Sequence, residues 1–279
     1  MKRLNACDLY ENNPNKMKKR ESQKEKVIRF FDRCAKTYYK KRYIEPTLEA
    51  YNFRTRKDLV LNILKKNNWK VLEIGCGPGV MSKELSQKGY ELFELDISKK
   101  IIKEAIEKSK QSKIENMPLF LIGDVENLCF SDSQFDAVIC LGTLQLVNDK
   151  KAIKEIYRVL KPKGTIIVAV PTKRMISSFL KLVVRPLTPL IYKIMKRERI
   201  IINFKNKGYN PWQLDRLLTR NGFKKVDYFY HHFVFFPFDE LFPSFSIKVD
   251  KKIRKILLKS KLMGRLFGKT YIVKSIKSK

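Results

Sequence analysis

The sequence predicts an α/β fold, a doubly wound sheet of about seven strands, mostly parallel with an antiparallel last strand. Three observations predict it. The run Val71-Leu-Glu-Ile74 enters three glycines at alternate positions, Gly75, Gly77 and Gly79, and helical sequence follows from Val80, which makes a buried strand, a turn and a helix. A second strand, Glu91–Asp96, ends in an acid about 20 residues after that turn, the separation that sets the carboxyl ends of two neighbouring strands side by side. Further apolar strand-like runs then alternate with helical patterns as far as residue 172.

The elements follow in order. Residues 1–25 are polar and basic and are expected to be disordered. From Glu25 a helix places Val27, Ile28, Phe31, Ala35, Tyr38 and Tyr39 on one face. A second helix, about Thr55 to Lys66, leads through Trp69 into the first strand. Without a Cβ, the glycines after that strand can take positive φ and leave room for a ligand against bare main chain. Ser98 reads as the N-cap of a helix from Lys99. A third strand ends near Ile122, before the turn Gly123-Asp124, and a fourth spans Phe135–Gly142. A helix from Asp149 to Leu160 and the turn Lys161-Pro-Lys-Gly164 feed a fifth strand, Thr165–Val170.

Past Pro171 the pattern changes. Residues 173–205 read as a helical insertion, in which Ile176, Leu180, Val183, Leu187, Leu190 and Ile194 form one apolar stripe divided by Pro186 and Pro189. Charges interrupt it too often for a membrane span. It is either a helical pair packed on the core, or a cap over an apolar substrate or an interfacial helix. Pro211 starts and Gly222 stops the next helix. An aromatic strand, Val226–Phe236, a basic amphipathic helix, Lys251–Phe267, and a last strand, Lys269–Ile276, complete the chain. Residues 26–279 thus read as a single domain.

Composition bounds the function. With 279 residues, 44% of them hydrophobic, the chain can bury one sizeable core with additions. Cys7, Cys34, Cys76, Cys129 and Cys140 contain no C-x-x-C pair. With no signal peptide, they read as reduced thiols of a cytoplasmic protein. His231 and His232 are the only histidines, so no metal site is expected. The net charge of +32 favours polyanionic partners, whether nucleic acid, an anionic inner membrane face or acidic metabolites. Lysine spread over nearly every segment also has a purely compositional reading, that of AT-biased coding.

The motif Glu73-Ile-Gly75-Cys-Gly77-Pro-Gly79 differs from the dinucleotide fingerprint G-x-G-x-x-G. With Asp96, Gly123-Asp124 and the strand at 135–142, it resembles the class I S-adenosylmethionine-dependent methyltransferases of small-molecule type, which are Rossmann-like. Phe30-Phe-Asp-Arg-Cys-Ala-Lys-Thr-Tyr-Tyr39 resembles the Phe-Asp-x-x-Ala-x-x-Tyr lid ahead of their core, although Tyr39 stands where Asp is common. The resemblance covers residues 26–172 well and 208–277 loosely. It implies S-adenosylmethionine as cofactor, held by Glu73, Gly75, Cys76, Gly77, Gly79, Asp96, Ile97, Asp124, Val125, Cys140 and Tyr38. Asp96 would accept the ribose hydroxyls; a solvated strand-end acid is its alternative reading. Asp124 would sit by the adenine amino group, Val125 against the ring, and Tyr38 near the methionine end.

The acceptor is less legible. Asn/Asp-Pro-Pro-Tyr is absent after the fourth strand, which argues against methylation of base amino groups, and Leu146 stands about where many small-molecule members carry His. No catalytic residue is assigned; His231, His232, Tyr38 and Gln145 are the candidates. The expected function is methyl transfer to an oxygen or carbon of a small lipophilic metabolite. RNA methylation is an alternative, although no appended RNA-binding module is recognisable. A non-catalytic membrane-surface protein that kept the fold is another, and a dehydrogenase the last.

Overall fold

A computed structural model gives the structure and describes residues 21–64, 68–173, 204–233 and 242–278. Its strands are β1 (Lys70–Ile74), β2 (Glu91–Asp96), β3 (Leu119–Ile122), β4 (Phe135–Leu141), β5 (Leu160–Pro171), β6 (Phe223–Phe233) and β7 (Gly268–Lys277). They form one sheet in the order β3-β2-β1-β4-β5-β7-β6, in which β7 alone runs antiparallel to its neighbours. The chain leaves β1 toward β2 on one side and returns to β4 on the other, so a crevice opens beyond the carboxyl ends of β1 and β4.

Alternation sorts the central strands between two cores. Leu72, Ile74, Val138, Ile166 and Val168 face α5 (Asp149–Val159) and α6 (Pro211–Arg220). Val71, Ala137, Ile139 and Ile167 face α2 (Leu48–Ile63) and α3 (Ser82–Gln87). Burial on both faces is why these strands read as nearly continuous apolar runs. Ser98 caps α4 (Lys99–Gln111) by accepting from Ile101 N, as its sequence position implied.

Several boundaries move. The first helix, α1, is Gln23–Tyr39 and continues in a π turn, Lys40–Ile44. It starts before Glu25 because Ser22 and Glu25 make a reciprocal capping box, so residues 22–25 belong to the helix and its cap. The second, α2, begins at Leu48 rather than Thr55, because the Thr47 side chain accepts from Ala50 N at 3.1 Å. The turn Lys161-Pro-Lys-Gly164 lies inside β5: Leu160 pairs with Phe135, Thr165 with Ala137, and the residues between are expelled as an irregularity. The basic C-terminal helix is two helices, α7 (Pro243–Lys259) and α8 (Lys261–Phe267), divided at Ser260, which caps the second. The buried residues of α2, Ala50, Tyr51, Val60, Leu61 and Ile63, serve two neighbours, α7 and the sheet, and this hid its first two turns from a one-stripe reading. Gly264 lets α8 close onto β6, since a Cβ there would stand 2.5 Å from the Tyr230 ring.

The expectations for residues 1–20, for the insertion stripe at 176–194 and for the end of the aromatic strand at 234–236 lie outside the described residues.

Candidate functional site

The glycine turn builds the floor of the crevice. Gly75, Gly77 and Gly79 all have positive φ, at 67°, 59° and 62°. A Cβ on Gly75 would stand 1.9 Å from Thr143 Oγ1, so the turn can pass Thr143 only as glycine. A Cβ on Gly77 would project toward Tyr38 Cε1, 3.9 Å away, into the gap between turn and lid. Gly79 acts elsewhere. Its missing Cβ makes room for Ser82 and Glu94, and it does not line the crevice.

Asp96 ends β2 and faces the crevice. It accepts from Gly77 N at 3.1 Å and from Ser98 N at 3.0 Å, which fixes its rotamer and ties it to the turn. Burial raises its pKa, and those two N–H groups oppose the rise. Each carboxylate oxygen keeps acceptor capacity for a further donor. Asp124 lines the next part of the wall with Val125 and Ile97. One oxygen of Asp124 accepts from Glu126 N at 2.9 Å, and the other pairs with Lys24 of the lid. The crevice encloses about 640 Å³ of free space, its open mouth included.

The lid α1 closes the side. Phe31 and Tyr38 line the crevice, and Asp32 fastens the helix by accepting from Ser98 Oγ at 2.5 Å and Lys100 N at 3.3 Å, at the amino end of α4. Past Tyr38 lies a smaller hollow lined by Glu73, Cys76, Arg56 and Tyr43. Glu73 and Glu94 are Cα partners on adjacent strands, both buried, and each has one oxygen without a hydrogen-bond partner among the described residues. Burial, and then the neighbouring Glu94, raise Glu73 well above the ordinary carboxyl value. Burial pushes Glu94 up to about 7, opposed by the Ser82 hydroxyl. Arg56, held over the Phe53 ring, is the nearby cation that favours ionised Glu73.

This arrangement fits the nucleoside the sequence implied. The glycine cradle would be filled by a Cβ, and the orphaned Glu73 oxygen lacks a donor. Asp96 would hold the sugar, and Ile97, Val125 and Phe31 the base. Glu73 would hold the ammonium and Arg56 the carboxylate of the amino-acid end. Sequence reading missed Arg56 and Thr143. Both act through tertiary position: Arg56 arrives from a helix whose start was misplaced, and Thr143, which donates to Ile74 O at 3.3 Å, lies beyond the strand.

Two further expectations change. Cys140 does not line the crevice; the alternation of β4 turns it into the α5 core, where it is 1% exposed and burial pushes its thiol up to about 12. His231 and His232 do not line the crevice either, because β6 is the edge strand, beyond β7. Of the pair, His231 points inward, as alternation required. Its Nε2 lies 2.9 Å from Arg254 Nη1 and 3.1 Å from Thr55 Oγ1. Burial, and then Arg254, hold its pKa well below the ordinary value, so it stays neutral. Gln145 and Tyr38 remain beside the site.

Comparisons with known proteins bear on the fold and the family. A family described as a methyltransferase domain matches residues 72–168. A demethylmenaquinone methyltransferase of Thermotoga maritima is 31% identical over 149 residues, covering 52% of this chain and 61% of that protein. One from Paenarthrobacter aurescens is 29% identical over 151 residues, covering 53% and 56%. The chain thus spans about three fifths of the length of these relatives. A magnesium protoporphyrin IX methyltransferase of Synechocystis PCC 6803, solved with bound SAH, superposes with a TM-score of 0.63 at 17% identity, covering 92% of this chain and 100% of that one. The [4+2]-cyclase SpnF superposes with a TM-score of 0.62 at 16% identity, covering 92% and 97%. At such identities the superpositions speak for the fold alone.

Proposed function

We propose, for a chain whose residues 72–168 match a methyltransferase domain, that it binds S-adenosylmethionine and transfers its methyl group to an oxygen or carbon of a small lipophilic acceptor. One observation carries this reading: the glycine cradle and Asp96 are joined by the Gly77 N–H bond on one side of Tyr38, and the partnerless Glu73 oxygen and Arg56 stand on the other. Sugar and amino-acid ends of one ligand would be met by groups of the right kind.

When bound, the cofactor supplies an electrophilic methyl on a sulfonium whose leaving group is a neutral thioether. The chain's own work is then positioning. Phe31 and Tyr38 exclude water from the crevice. Asp96 and Arg56 fix two ends of the ligand, and alignment of this kind lowers a barrier by about 7–11 kcal/mol. Cys76, whose thiol burial raises well above its ordinary value, is not a nucleophile. The demethylmenaquinone methyltransferases among the relatives support a lipophilic acceptor, whereas the cyclase on the same fold shows that architecture alone does not choose a reaction.

Calorimetry tests the reading. S-adenosylmethionine should bind with micromolar affinity, about −8 kcal/mol, and NAD should give no heat. Binding of NAD in place of S-adenosylmethionine would overturn it.

The surface of α7 and α8 supports peripheral contact with an anionic bilayer. Phe245, Ile256 and Leu262 are exposed there among Lys251, Lys255 and Lys261, while Asp250 is buried against Arg254. No helix of the described residues is long and apolar enough to cross a membrane, so the contact would be interfacial, with about 1 kcal/mol from each basic residue near the lipid. The protein should sediment with vesicles containing phosphatidylserine and stay in the supernatant with neutral ones; equal partition would remove this part.

A further inference from the structure

A large cavity lies beside the crevice rather than in it. It encloses about 1470 Å³ of free space, its open mouth included, and shares Leu146 and Val147 with the crevice wall. A ligand in this hollow would lie against the outer side of that shared wall. Its composition says which ligand.

The apolar part of its lining is Val27 of the lid with Leu146 and Val147. Gln145 lines it as well. Its main chain is fixed, because Lys207 N donates to the Gln145 carbonyl at 3.1 Å. Its side-chain oxygen is buried without a hydrogen-bond partner among the described residues. A partnerless amide oxygen is costly to bury, and a ligand hydroxyl or N–H would relieve it. The rim carries four lysines. Lys24 is held by Asp124 and Glu126, and Lys207 by Asp149. Lys173 and Lys205 are exposed and make no ion pair with a described residue. The loop carrying Lys205 is fastened to the lid, since Gln23 accepts from Lys205 N and donates to Lys205 O. Lys173 is fastened to the segment next door, since Lys173 N donates to Tyr209 O at 2.8 Å. These two ammonium groups therefore sit on anchored backbone.

We propose that this hollow binds an amphipathic anion, its apolar body over Val27, Leu146 and Val147, a protic group against Gln145, and a carboxylate or phosphate at Lys173 and Lys205. The site does not depend on the methyltransferase reading.

The experiment is calorimetry on the full chain, with and without S-adenosylhomocysteine, using decanoate, decyl phosphate and decanol as probes. The anionic probes should bind at least tenfold more tightly than decanol, and whichever of the two is tighter names the head group. The double variant K173E/K205E should erase that preference while leaving decanol and S-adenosylmethionine affinity unchanged. K99E/K110E, an equal charge change at exposed positions of α4, should leave it intact. 10-Hydroxydecanoate should bind more tightly than decanoate to the unaltered chain, and Q145L should remove that advantage. Equal affinity for anions and decanol, or a preference lost equally in the α4 variant, would overturn the inference and identify the effect as net charge. Failure of S-adenosylmethionine to bind would overturn the methyltransferase reading instead, and the probe series would still decide the anion site.

Discussion

The two flanks of the sheet bury acids in opposite ways. On the β1–β2 side, Glu73 and Glu94 lie as Cα partners on adjacent strands, each with an oxygen that no described residue satisfies. On the β6 side, Asp250 of α7 accepts from Tyr51 Oη at 2.8 Å and from Arg254 Nε at 2.7 Å, and Arg254 also meets His231. The first pair is a standing electrostatic deficit beside a crevice. The second pairs its acid with a cation and pins α7 and α2 to the edge strand, although Asp250 Oδ1 and His231 Nδ1 also have no partner among the described residues. Burying a charge without a counter-charge is costly, so the deficit is expected where a cationic ligand comes to relieve it, and the acid paired with a cation where the chain needs only to stay together.

The largest effect should come from breaking the Asp250–Arg254 pair. D250A leaves Arg254 and Tyr51 buried without their acceptor, and removing one partner of a buried pair costs about 3–5 kcal/mol. Urea unfolding should show that loss while calorimetry finds the S-adenosylmethionine affinity of the folded protein unchanged. A large drop in affinity would mean that the two flanks are one functional unit and that the contrast fails. On the other side, D96A should have the reverse signature. It removes the proposed charge-assisted bonds to the ligand, worth about 1.5–3 kcal/mol, so the dissociation constant should rise roughly 10- to 150-fold.

The contrast also bears on what could be read in advance. The crevice side was legible because its signals are local. A glycine turn declares a close approach, an acid at the end of β2 declares a strand end, and Ser98 declares a helix start. The β6 side is built from Tyr51, Thr55, His231 and Asp250, which meet only after α7 folds back, and no spacing along the chain announces that. The same limit explains Cys140 and His231. Their burial was foreseeable from alternation, but which side of a strand faces the crevice depends on where that strand lies in the sheet. Arg56, Thr143 and the cavity beside Gln145 belong to the same class: each is chemistry assembled from distant segments.

A smaller effect, with a sign that can be worked out, tests the deficit itself. Glu94 titrates at about 7 in the folded chain against an ordinary value of 4.5. The folded state therefore holds the proton more tightly than the unfolded state. The stability this gives is fully present below about 4.5 and is lost as pH rises through about 7. Glutamine imitates the protonated form. E94Q should accordingly raise Tm at pH 8, by an amount on the order of 1–3 kcal/mol in stability, and change little at pH 4. An equal gain at both pH values would mean that packing, not charge, separates the two side chains.

The smallest effect concerns the lid, where the ties are of a third kind, partly open to solvent. Asp32 meets the amino end of α4 through Ser98 Oγ and Lys100 N. A carboxylate at that place contributes about 0.3–1 kcal/mol from the helix dipole. The second tie, Lys24 to Asp124, is an ion pair between side chains 42% and 26% exposed, and such pairs contribute about 0–1 kcal/mol. Contacts this modest would suit a helix that lifts to admit a ligand and settles again. D32A should therefore leave global unfolding nearly unchanged and raise the cofactor dissociation constant only about two- to fivefold, through a faster dissociation rate measured by stopped flow. If D32A instead unfolds the chain as D250A does, α1 is part of the core rather than a lid, and the exclusion of water attributed to Phe31 and Tyr38 would have to be a permanent feature of the fold.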